Sequence, residues 1–157
     1  MKNNNSLPLR IGVGIALLND KNKIFVGKRI DNPKNFWQLP QGGVDDNENY
    51  LDAAKRELKE ETSIKSVKLI KQLDGWLKYD LPENLIGKVW NGKYGGQKQK
   101  WFIMKFLGND KEININTKHP EFLEWKWIEI NKITDFVVDF KLNIYKEIKE
   151  KIKEIIS

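Results

Sequence analysis

The chain contains no cysteine, so neither a disulfide framework nor a thiolate site is open to it, and it suits a reducing compartment. Its one histidine, His119, precedes Pro120 in an expected loop and is assigned no chemistry. No apolar run approaches the ~18 residues of a membrane span, and the opening MKNNNSLPLRIG lacks the apolar core of a signal peptide. The expected location is therefore the cytoplasm, with no membrane partner. Glycine-rich nucleotide motifs are absent too. GVGIAL lacks the third glycine of a dinucleotide fingerprint, and no Gly-Lys pair is followed by Ser or Thr as a phosphate-binding P-loop requires.

What is present is charge, unevenly placed. The 157 residues, enough for one domain spanning 1–157, carry 28 Lys+Arg against 22 Asp+Glu, a formal charge of +6. Yet residues 42 to 64, GGVDDNENYLDAAKRELKEETSI, hold seven acidic side chains. A basic body around an acidic patch suits a polyanion held through metal ions.

Residues 10 to 30 read as two apolar strands joined by the polar turn NDKN. Residues 31 to 43, with two prolines and two glycines, read as a loop. From about Asn49 to Thr62 the period becomes helical, with Leu51, Ala54 and Leu58 on one stripe and Asn47 or Asn49 available as N-cap. Further strands are expected at SVKLIKQL, GWLKYDL, QKWFIMKFLG and EFLEWKWIEI, with a polar stretch at NGKYGGQ. From about Phe136 an amphipathic helix carries Ile144, Tyr145, Ile148, Ile152 and Ile155 at helical spacing, which docks it on the core before any contact with nucleic acid. Trp37, Trp101, Trp125 and Trp127 are assigned to the core or a groove wall. The expected fold class is α/β (α+β), a mixed sheet sandwiched between helices.

On a helix, Glu57 and Glu61 are neighbours four residues apart and Glu60 lies beside them, so three carboxylates share one patch. Like charges at this spacing destabilise an isolated helix by a few tenths of a kcal/mol per pair. Charge pattern alone leaves two readings open, a solvated face softened by Lys55 and Lys59, or a cation pocket. The wider spacing is Gly42, five residues, Glu48, seven residues, then Arg56, Glu57, Leu58, one residue, Glu60, Glu61, one residue, Ser63, Ile64. It resembles the signature of the Nudix hydrolases. Six fixed polar or glycine positions coincide by chance on the order of 10⁻⁷ per start position. Ser63 departs from the signature, which has Gly there. If Ser63 ends the helix in a left-handed conformation, it costs on the order of 1 kcal/mol relative to Gly.

Beyond that box, FWQLPQGG, GWLKYDLP, GGQKQKWF, HPEFLEWKW and VVDFKLNIY resemble the branch holding bacterial RNA pyrophosphohydrolases and diadenosine tetraphosphate hydrolases. The family cleaves nucleoside diphosphates linked to a further group. The resemblance implies Mg²⁺ or Mn²⁺, which neutralises phosphate charge and lowers the pKa of water. It implies Glu57 and Glu61 as direct ligands, Glu60 as ligand or water-mediated partner, Arg56 as orienting group, and Gly42 and Glu48 as support. Glu121 is implied as a further ligand or the general base, with Glu57 the competing base. Arg10, Tyr79, Gln97 and Lys100 are implied to meet phosphate or nucleotide. Arg29 and Phe140 are implied to sandwich a base, whose edge is read near Val138 and Lys141. The main expectation is removal of pyrophosphate from the 5′ end of RNA; the alternative is a dinucleoside polyphosphate hydrolase. A catalytically silent nucleic-acid-binding module is disfavoured by the intact acidic set.

Overall fold

The computed structural model describes residues 7–31 and 34–156. Its elements in chain order are strands β1 (Leu9–Leu18), β2 (Ile24–Arg29) and β3 (Gln41–Gly43), helix α1 (Tyr50–Thr62), strands β4 (Val67–Gln72), β5 (Leu77–Asp80), β6 (Gly96–Phe106) and β7 (Phe122–Ile128), and helix α2 (Leu142–Ile156). The sheet runs β4-β6-β1-β2-β7, with β3 paired to β1 and β5 to β6. β1 and β6 are parallel over a long register, from Leu9 opposite Gly96 to Leu18 opposite Lys105.

The functional geometry starts from a split in this sheet. β1 and β2 meet near their turn, where Leu18 faces Ile24. Below that point residues 38 to 43 wedge between them: Gln38 exchanges backbone hydrogen bonds with Gly27 at 2.8 and 2.9 Å, and Ile15 donates to Pro40 at 3.0 Å. β3 then completes the wedge against β1, Val13 opposite Gly42. The two arms of the sheet diverge there, and a groove opens between the end of β2 and the start of β3.

Each face of the sheet is covered by one helix, because side chains alternate along each strand. Ala53, Ala54 and Leu58 of α1 bury themselves with Val13, Ile15, Leu17, Phe102 and Met104. Ile144, Tyr145, Ile148 and Ile152 of α2 pack with Ala16, Leu18, Trp101 and Ile103 on the opposite face. The Tyr145 hydroxyl accepts a hydrogen bond from the Leu39 amide at 2.8 Å, tying α2 to the wedge. Trp37 and Trp101 are buried, while Trp125 and Trp127 are half-buried on the α1 side around Phe25.

Three elements differ from the sequence expectation. α2 begins at Leu142, not near Phe136, because the Phe136 carbonyl accepts from the Trp37 amide at 2.8 Å and two 3-10 turns intervene. β3 was expected as loop; its two glycines carry no side-chain period that would signal a strand. The polar stretch after Asn91 is partly strand, since β6 starts at Gly96, and a 3-10 turn occupies Trp90–Gly92.

α1 is capped at its start by Asn49, whose side chain accepts from the Asp52 amide at 2.8 Å. It ends on Ser63 at φ 68°, the left-handed conformation expected where the signature has Gly. Here Ser63 is partly compensated, because its hydroxyl donates to the Asn114 carbonyl at 2.8 Å. Ser63→Ala keeps the backbone cost and loses that bond, worth ~1 kcal/mol, whereas Ser63→Gly loses the bond but relieves the backbone. The alanine variant should therefore melt roughly 2 to 4 °C below the glycine variant. Equal melting of the two in thermal denaturation would contradict this account.

Candidate active site

The acidic helix does not present one solvated patch. Glu60 is exposed, Glu57 is largely buried under β3, and Glu61 turns inward with 5% of its surface exposed. The groups are arranged around Arg56. Its Nε and Nη2 donate to the two oxygens of Glu48 at 2.9 and 3.0 Å, a paired fork that clamps the loop before α1 to the helix. Nη2 also donates to the Gly43 carbonyl at 3.0 Å, and Nη1 reaches Glu57 at 3.3 Å and Glu60 at 3.2 Å. The Gly43 amide donates to Glu57 Oε2 at 3.0 Å. Gly42 has no room for a side chain, since a Cβ there would run into the Glu57 carboxylate. Loop, helix and β3 are thus fixed to one another, and Glu57 is fixed with them.

The electrostatics of the buried carboxylates favour a nearby positive charge. Burial raises the Glu57 carboxyl above its ordinary range, opposed by Arg56 and reinforced by Glu60. Burial raises Glu61 well above that range, and the charges of Glu57 and Glu121 push it further, against Arg29 and the Gln41 backbone. Glu61 Oε1 is buried with no hydrogen-bond partner. Glu121, from the segment entering β7, joins the groove through Arg29 Nη2 at 3.4 Å. Among the described residues no three acidic side chains enclose an ion as they stand, and Glu60 is drawn to Arg56. An orphaned buried carboxylate oxygen, two desolvated acids and an all-oxygen donor set nevertheless fit a hard divalent cation, which Glu57 and Glu61 would hold with Glu60 at the rim.

The residues expected to meet substrate fall into three groups. Arg10, Gln97 and Tyr79 form a chain on the α2 face: Arg10 Nη1 donates to Gln97 Oε1 at 3.1 Å and Gln97 Nε2 to the Tyr79 hydroxyl at 2.9 Å. Gln97 is wholly buried, and burial raises the Tyr79 hydroxyl pKa against the hydrogen bond from Gln97. Lys100 lies on the other face of β6, where its ammonium reaches the Gly75 carbonyl at 3.2 Å and the Trp76 ring at 4.5 Å. Gln97 and Lys100 therefore do not act in one cluster: they are an odd number of residues apart on a strand. Arg29, Val138 and Lys141 form the third group, lining a cleft with Phe36, Trp37, Gln38 and Val137. Burial lowers the Lys141 ammonium to about 8, with Arg29 adding to the effect and Asp31 and Glu61 opposing it.

The sandwich expected of Arg29 and Phe140 is not preformed. Arg29 is bonded to Asp31 through Nε at 2.7 Å and Nη2 at 2.8 Å, and the Phe140 ring packs on Tyr79 with centroids 5.4 Å apart. Sequence reasoning missed Asp31, and it missed Gln41 and Gln99, which hydrogen-bond at 3.3 Å beside the groove while Gln99 also accepts from Trp101. Glutamines alternating with lysines along an apolar strand were the available signal.

Groove, clamp and buried acids define a member of a known class. The NUDIX domain model matches residues 8–148, and the chain belongs to the Nudix hydrolase family. Among curated relatives it is 68% identical to the RNA pyrophosphohydrolase of Pelagibacter ubique, covering 97% of this chain and 96% of the relative. It is 45% identical to the RNA pyrophosphohydrolase of Orientia tsutsugamushi strain Boryong, covering 94% and 92%. The fold resembles the E. coli dihydroneopterin triphosphate pyrophosphohydrolase, with a TM-score of 0.69 at 19% identity over 92% of this chain and 99% of that one. Among the described residues no helix is long and apolar enough to cross a membrane.

Glu61 gives a testable sign. A carboxyl whose folded pKa lies above its unfolded value takes up a proton on folding, so it lowers stability increasingly as pH rises from the unfolded value of about 4.5 through the raised one. In chelator, Glu61→Gln should melt above the parent chain at pH 7, and the gap should narrow on titration toward pH 4. A gap that widens toward acid would show that Glu61 is held ionised by its neighbours.

Proposed function

We propose that the protein is an RNA 5′ pyrophosphohydrolase of the cytoplasm, which hydrolyses a 5′-triphosphorylated transcript to pyrophosphate and a 5′-monophosphorylated chain. The observation that carries this reading is the coincidence of an intact Arg56–Glu48–Glu57 clamp with 68% identity to an RNA pyrophosphohydrolase along nearly the full chain. The net charge of +6 supports a polyanionic substrate.

In this reading the phosphate chain lies in the groove between β2 and β3, with Arg10, Gln97 and Tyr79 toward its free end. The first base enters the cleft lined by Arg29, Val138 and Lys141, beside Phe140. Mg²⁺ or Mn²⁺, when bound, neutralises phosphate charge and acidifies the attacking water. Glu57 and Glu61 would hold that charge, because both carboxylates are desolvated by burial. Glu57 is restrained by Gly43 and Arg56, which suits a ligand. Glu121 is about half exposed and joined to Arg29 at 3.4 Å, which leaves the freedom a general base needs. It takes the proton of the water that attacks phosphorus as the bond to the leaving pyrophosphate breaks.

Two substitutions separate these roles. Glu57→Gln should lower kcat by ~10² or more and weaken metal binding, whereas Glu121→Gln should lower kcat by a similar factor while metal affinity stays close to that of the parent chain. Loss of metal affinity in Glu121→Gln alone would exchange the two assignments. The substrate class is tested by kcat/KM for 5′-triphosphorylated RNA against diadenosine tetraphosphate on one preparation. A preference for the dinucleotide would replace the RNA reading with the alternative one.

A further inference from the structure

The loop between β5 and β6 holds a residue that the polar look of its sequence conceals. Leu85, Ile86, Val89 and Trp90 pack against the core, so the loop is a folded unit rather than a tether. Within it Trp90 and Asn91 are consecutive left-handed residues at φ 52° and 56°. A bulky aromatic residue seldom adopts this conformation, and it persists where surrounding contacts over-determine it. The ring of Trp90 meets the guanidinium of Arg10, whose Cζ lies 5.4 Å from the ring centroid, and packs in an edge-to-face pair with Tyr94, centroids 6.0 Å apart.

Arg10 is thereby held between three surfaces. The Trp90 ring lies under its Cζ, Gln97 Oε1 accepts from Nη1, and Nη2 abuts Gly43, where a Cβ would stand 2.5 Å away. Gly43 is also the residue whose amide fixes Glu57, so the cation sits directly beside the catalytic groove. Among the described residues its hydrogen-bond partner is the neutral Gln97 and not a carboxylate, which leaves its charge for an anion.

The geometry points to Trp90 as a positioning residue for phosphate binding: its ring fixes the guanidinium plane of Arg10 so that the unused N–H groups face the terminal phosphate of a polyphosphate chain. This rests on the phosphate-binding role proposed for Arg10. The ring makes no contact with substrate. It lowers the cost of ordering a long cationic side chain before the anion arrives.

The test is a double-mutant cycle on the full chain, using inorganic tripolyphosphate as a binding probe in calorimetry and 5′-triphosphorylated RNA as substrate. Trp90→Ala should weaken tripolyphosphate binding and raise KM by about 3-fold to 20-fold, the range a cation–π contact supports, with kcat within about 2-fold. Trp90→Phe should recover most of the loss, and Trp90→Leu, similar in bulk but without a π face, should not. In an Arg10→Ala background the Trp90 substitution should add less than about 2-fold. Full additivity in that background, or a leucine variant equal to the parent chain, overturns the inference, as does a Trp90→Ala protein that binds normally and merely melts early. If the parent chain binds tripolyphosphate but does not cleave the RNA, the proposed substrate fails while the cycle on tripolyphosphate still decides the role of Trp90.

Discussion

The bidentate bond between Arg56 and Glu48 is the constraint on which the rest of the site depends. It crosses from helix to loop, and the remaining N–H groups of the same guanidinium reach Gly43, Glu57 and Glu60. One planar cation thus sets the position of β3 relative to α1 and the orientation of a buried acid. A lysine would supply the charge but not the fork, so it would hold one of these partners at a time. The acids to which the chemistry is assigned oppose one another and the interior that encloses them, and Arg56 and the backbone of β3 hold Glu57 in place against that cost.

The split sheet gives that arrangement its location. An uninterrupted pairing of β1 with β2 would bury the positions that now line the groove. Inserting residues 38 to 43 keeps the backbone groups of both strands satisfied through Gln38, Pro40 and β3 while forcing the arms apart. The groups proposed to face substrate then come from four segments far apart in sequence, around Arg10, Arg29, Gln97 and Glu121.

The elements with strong side-chain periods were legible in the sequence. α1, with its Asn49 cap and its stripe of Ala54 and Leu58, and the apolar strands β1, β2 and β6 follow directly from spacing. The clustering of Arg56, Glu57 and Glu48 was legible through its resemblance to a known signature. What spacing could not reveal was set by contacts distant in sequence. The delayed start of α2 depends on Trp37 claiming the Phe136 carbonyl. The inward turn of Glu61 depends on the wedge above it, whereas the separation of Gln97 from Lys100 could be read from their odd spacing once β6 was taken as a strand. Asp31 lies in a loop, where no period marks it as the partner of Arg29.

The bond from the Leu39 amide to the Tyr145 hydroxyl has a consequence for how the molecule breathes. Tyr145 is fully buried in α2, and Leu39 lies within the wedge that opens the groove. The last helix of the chain and the residues leading into β3 therefore share one cooperative unit of local opening. A fluctuation that undocks α2 removes the acceptor of the Leu39 amide, exposes that amide to solvent and loosens the groove from behind, although α2 contributes none of the acidic residues of the groove. The slowest amide exchange in the wedge would then track the docking of a helix more than a hundred positions away in the chain.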